Sequence, residues 1–70
     1  MLESGDARRA RQMAERALAL SAGRREWLPW AVLARSAREL GDTEEARRAA
    51  DNARRLAPAE VQRLLDGFLL

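Results

Sequence analysis

Cysteine, histidine, lysine, tyrosine and isoleucine do not occur in this 70-residue chain. Without cysteine there is no disulfide to staple a small fold and no thiolate site, and without histidine the usual zinc ligand sets cannot be assembled. The redox compartment is therefore not legible. The same absences thin out catalysis. An enzyme gathers a nucleophile, an acid or base and a charge-stabilising group in one pocket, whereas the hydroxyls here are Ser4, Ser21, Ser36 and Thr43 and the carboxylates sit in arginine-rich helical settings. Paired carboxylates are too common on helices to imply acid–base catalysis by themselves, and no glycine pattern suggests a phosphate loop. The expectation is a non-enzyme with no catalytic, cofactor-binding or metal-binding residue. No run approaches the ~18 apolar residues of a membrane span, and the N-terminus lacks the apolar core of a signal peptide. A soluble chain follows as the expectation, with a cytoplasmic setting favoured and no membrane contact.

What the chain does contain is alanine, leucine and arginine. Its 47% hydrophobic and 34% charged content is too apolar for a disordered segment and describes one globular unit over residues 1–70. Below about 70–80 residues a single core supplies little spare stability, so a partner or further repeats are expected to help. The net charge is only +2, while the pI of about 10.9 is high because all 13 basic residues are arginine. The 11 acidic residues are interspersed among them, a mixture that marks solvated helix faces more than a nucleic-acid surface. The clusters Arg8-Arg9-Arg11, Arg24-Arg25, Arg47-Arg48 and Arg54-Arg55 fall on different helices with acids between them, so nucleic acid is disfavoured. Abundant alanine and arginine beside absent lysine and isoleucine would fit a GC-rich bacterial genome.

Apolar spacing predicts four helices and no strands, over about 6–20, 26–40, 43–56 and 58–69. In the first, Ala10, Met13, Ala14, Ala17 and Leu20 share one face of a 3.6-residue period, with Met1 to Gly5 as a lead-in and Asp6 as the N-cap. Gly23 suits the left-handed conformation that ends a helix. Pro29 falls in the first turn of the second helix, where a missing amide proton costs little, and Trp27, Trp30, Ala31, Leu33, Ala34, Ala37 and Leu40 form its apolar face. Gly41 stops it. Asp42 and Glu45 have capping-box spacing. Ala46, Ala49, Ala50, Ala53 and Leu56 should face inward on the third helix, with Glu44–Arg48 and Asp51–Arg55 as i,i+4 pairs. Pro58 suits the first position of the fourth, whose stripe is Val61, Leu64, Leu65 and Phe68, and Gly67 should weaken its last turn.

The chain also repeats. Gly5-Asp6, Ala10, Ala14, Ala17 and Leu20 recur at one constant offset as Gly41-Asp42, Ala46, Ala50, Ala53 and Leu56. Around that repeat the order Trp30, Leu33, Ala34, Ala37, Gly41, Ala46, Ala50, Ala53, Leu56, Pro58 resembles the tetratricopeptide repeat, a helix-turn-helix of about 34 residues. Trp30, Leu33, Ala46 and Pro58 match its signature, while Ala34, Ala37 and Ala50 replace the glycine, tyrosine and phenylalanine. The resemblance implies an all-α, antiparallel helix-turn-helix stack: a second helix without its first, one full repeat and a closing helix.

It also implies a function, a non-catalytic module that binds a peptide or partner protein in a groove lined by the first helices of the repeats, as part of a longer repeat protein. The family's groove positions carried onto the second helix are Leu28, Ala31, Arg35, Arg38 and Glu39. Arg35 and Arg38 are the expected ligand contacts, and an acidic peptide is a chemically sensible ligand because guanidinium groups grip carboxylates bidentately. The family's two-carboxylate clamp of lysine and asparagine is not present, since Ala31 and Arg35 occupy two of its positions. Trp30 is expected in the core. Trp27 stands open between covering the junction with the first helix and anchoring a partner. The competing function is self-association as a homodimer, or a dimerisation segment of a larger enzyme, using the first helix at Met13, Ala14, Ala17 and Leu20 or the Phe68-Leu69-Leu70 end.

Overall fold

Alanines at helical spacing let backbones approach closely, and the second helix uses that on most of its circumference. The structure is a computed structural model that describes residues 4–20 and 25–69. Among them are four helices and no strand: α1 (Ser4–Ala19), α2 (Trp27–Glu39), α3 (Thr43–Leu56) and α4 (Ala59–Leu69). α2 packs against each of the other three, whereas α1 and α4 share no close backbone approach. Side-chain pairings fix the directions. Ala14 of α1 meets Leu33 and Ala34 of α2 and Ala49 of α3, and Arg11 reaches Glu45 at 3.5 Å. At the other side Ala31 meets Ala53, Ala57 and Leu65, while Arg38 reaches Leu69. Consecutive helices are thus antiparallel, α1 runs with α3, and α2 runs with α4.

The core is made mostly of small side chains. Ala14, Ala31, Ala34, Ala37, Ala49, Ala53 and Ala57 are buried with Leu33 and Leu65, and among the described residues Leu65 is the largest side chain that is almost wholly enclosed. Half-buried Trp30 and Leu69 bridge the two clusters, which puts Trp30 in the expected place. Ser36 is buried too; its hydroxyl donates to the Val32 carbonyl at 2.8 Å with the Leu33 carbonyl at 3.2 Å, a back-bond that satisfies it within its own helix.

The α2–α3 turn carries the strongest local signal. Gly41 has φ +87°, a conformation that costs a side-chain-bearing residue but not glycine. Its amide donates to Arg38 at 3.1 Å and that of Asp42 donates to Ala37 at 2.8 Å, which together close the α2 carbonyls in a Schellman motif. Asp42 then caps α3 by accepting from the Glu45 amide at 3.2 Å. The reciprocal half of the capping box is not formed, because the Asp42 amide is already used, and Glu45 pairs with Arg11 instead.

Several expectations are corrected. α1 begins at Ser4, so Gly5 and Asp6 lie inside its first turn, and Asp6 there complements the free amides without being the N-cap. Pro58 precedes α4 and accepts from the amides of Val61 and Gln62 at 2.9 and 3.1 Å, so it is the capping residue and Ala59 the first helical one. Leu56 and Leu64 belong to apolar stripes yet are exposed, as are Met13, Leu20 and Phe68 at the two ends offered for self-association. The cause is alanine: a face that packs through Ala7, Ala14, Ala31 and Ala53 is too narrow to cover the larger side chains at its edges. Among the described residues Glu44–Arg48 and Asp51–Arg55 form no ion pair, and Arg55 donates to Asn52 at 2.6 Å. The expected turn at Gly23 lies outside the described residues, as do Leu70 and Arg24.

Candidate functional site

Because α1, α3 and α4 surround α2, only a narrow strip of it stays open, through Leu28, Arg35 and Glu39. These lie at i, i+7 and i+11, one line along a helix. α4 runs beside that strip in the same direction and contributes Leu64, Gly67 and Phe68. Two notches form between the helices and share Phe68. One, of about 240 Å³, is apolar and lined chiefly by Trp27, Leu28, Val61, Leu64 and Phe68. The other, of about 320 Å³, is lined by Arg35, Arg38, Glu39, Gly67 and Phe68. Leu28 is 53% exposed and Leu64 72% exposed, so the apolar notch opens onto a protruding rim.

The polar end is built by arginines that α4 engages. Arg35 lies with its guanidinium carbon 5.1 Å from the Phe68 ring centroid, within cation–π range, and its Nε is 3.4 Å from Glu39 Oε2. Arg38 donates from Nη1 to the Leu69 carbonyl at 2.7 Å, closing a C-terminal carbonyl of α4 that has no partner within its own helix. From the other flank Arg54 pairs with Asp66 at 3.4 Å, and Gln62 donates to the carbonyls of Arg54 and Ala57 at 3.0 and 3.2 Å. These polar contacts are mostly solvent-exposed, so their individual energies are small. Their effect is to hold α4 in register so that Phe68 sits beside Arg35.

The expected groove residues therefore divide. Leu28, Arg35, Arg38 and Glu39 border the α2–α4 strip. Trp27 packs against the Ala31, Ala53, Ala57 and Leu65 cluster, on the side of α2 facing α3 and α4 and not at the junction with α1, and it also lines the apolar notch. Ala31 is 0% exposed beneath α4 and lies at the floor of the apolar notch, so it presents no open surface of its own. Leu64, Val61 and Phe68 join the strip although the sequence assigned their stripe to the core. The signal was present in the spacing of α4, which carries more large apolar residues than one packing face needs.

The expected self-association surfaces are altered too. Ala14 is buried between α2 and α3, leaving Met13 exposed on α1 among Arg9, Gln12, Glu15 and Arg16, and Leu20 exposed just past its end. Leu69 packs inward against both clusters. Among the described residues no three His, Cys, Asp or Glu side chains are grouped as a metal site, and no helix is long and apolar enough to cross a membrane. No protein-family model, curated protein or solved structure matches this chain.

Proposed function

We propose that this chain is a non-catalytic protein-interaction module of the tetratricopeptide type, whose docking surface is the face shared by α2 and α4. The observation that carries the reading is the apolar notch at Trp27, Leu28, Val61 and Leu64, since an exposed apolar patch with a polar rim marks an interaction site on a small protein. The helix directions support the repeat assignment: α2 and α4 run side by side as first helices of successive repeats would, and α1 and α3 as the second helices. The repeat's turn is supported by the Schellman geometry at Gly41. Arg35 at the polar end favours a ligand with a carboxylate beyond its apolar anchor, and Arg35's exposed pair with Glu39 is cheap to exchange.

A displayed peptide library selected on the immobilised protein tests this. Selected sequences should combine a bulky apolar residue with an acid, and they should lose binding to Leu28→Glu and Leu64→Glu variants of unchanged helicity. Ligands that bind these variants as well as wild type would move the site off this face.

A further inference from the structure

The α2–α4 face carries a knob and a hole at once. Leu64 protrudes, 72% exposed, from the rim of a cleft of about 240 Å³. We propose that this face is a two-fold self-association surface, on which the Leu64 side chains of two copies pack against each other at the centre and cover the clefts beside them. The inference rests on reading the face as a docking surface and names a second copy of this chain as its occupant.

Charge order selects that occupant. A two-fold axis through Leu64 sets two copies of α4 antiparallel, so residues equally spaced about position 64 come opposite each other and Glu60 of one copy faces Phe68 of the other. Arg35 lies over that Phe68 ring. Glu60 is exposed and makes no ion pair among the described residues, and a guanidinium has five N–H donors, so Arg35 can donate to Glu60 of the other copy while keeping Glu39. Each pairing occurs twice, as an isologous contact requires. The exposed apolar side chains of α1 offer no such match, because Met13 stands among Arg9, Gln12, Glu15 and Arg16 with no apolar cleft beside it.

The size of the face sets the strength. α2 and α4 have 13 and 11 residues, which at about 1.5 Å per residue and about 10 Å between axes gives a patch of roughly 20 by 20 Å. Two such patches bury about 800 Å² in total, below the roughly 1,200 Å² at which stable specific complexes begin and in the range of weak, transient contacts. The dimer is accordingly weak and reversible.

Sedimentation equilibrium of the full chain from low micromolar to millimolar concentration tests this, with circular dichroism as the fold control. Wild type should pass from a 7.9 kDa species to twice that mass. Leu64→Glu should stay monomeric with unchanged helicity. Glu60→Arg and Arg35→Glu should each weaken dimerisation by about tenfold or more, and the double variant should recover it, because the swapped charges meet again. A monomeric wild type at all concentrations overturns the inference, and if that monomer still selects peptides through Leu28 and Leu64, the docking-surface reading survives it. A dimer indifferent to Leu64→Glu, or single-variant losses that the double swap does not restore, overturns this pairing.

Discussion

Removing the Leu65 side chain should cost far more than removing its neighbour's. Leu65 is 2% exposed, packed among Ala31, Ala53 and Ala57, with Trp27, Trp30, Val61 and Leu69 at the edge. Leu→Ala changes in cores cost about 2–5 kcal/mol, and the upper part of that range applies where the site cannot collapse. Here the nearest buried neighbours are alanines, which have no side chain to move into the space, so the expected loss is about 3–5 kcal/mol. At about 0.05–0.15 kcal/mol per residue the whole fold has roughly 3.5–10 kcal/mol, so Leu65→Ala should leave α4 undocked and the chain largely unfolded. Leu64, one residue away and 72% exposed, has almost the same helix propensity as alanine. Its replacement should change stability by less than about 0.5 kcal/mol, a melting shift under about 4 °C. Urea and thermal unfolding followed by circular dichroism, at low micromolar protein to keep association out of the reading, distinguishes the two. Equal effects of Leu65→Ala and Leu64→Ala would mean that α4 does not dock through Leu65.

Other perturbations follow from the same packing. An added Cβ at Gly41 or Gly67 meets nothing within 4 Å, so conformation alone decides the sign. Gly41→Ala, at φ +87°, should destabilise by about 1–2 kcal/mol, whereas Gly67→Ala, inside α4, should stabilise by about 0.5 kcal/mol, both read from urea midpoints. Trp30→Ala should cost about 3 kcal/mol, the lower end for an aromatic core change, because Trp30 is half-buried yet touches both clusters; near-unchanged melting would remove it from the core. Arg35→Ala should change stability by less than about 1 kcal/mol, since an exposed ion pair and one ring contact are lost, so any large loss of binding in that variant reports on the face and not on the fold.

The sequence made the helices legible because alanine, leucine and charge follow one period, and it made the turn at Gly41-Asp42 legible because glycine followed by a capping aspartate has few other uses. It blurred the inner and outer faces. Periodicity marks Met13, Leu20 and Leu64 as members of apolar stripes, but how wide a stripe is buried depends on how closely the helices approach, and alanine contacts such as Ala31 with Ala53 make that approach very close. The same closeness hid Ala31, which falls at a groove position yet lies beneath α4. Arg35 and Arg38 were legible as surface arginines beside a groove. That Phe68 and the Leu69 carbonyl would meet them was not, because such contacts between α2 and α4 depend on where α4 docks.

The central claim is that the α2–α4 face is where this chain is held by its partners. An amide chemical-shift map of the isotope-labelled protein, taken as a selected apolar–acidic peptide is titrated to saturation at low micromolar protein, tests it most directly. The account predicts that the largest changes fall at Leu28, Arg35, Leu64 and Phe68, with α1 at Met13 and α3 at Arg47 and Arg48 unmoved. Changes centred on α1 or α3, with the α2–α4 strip silent, would contradict it.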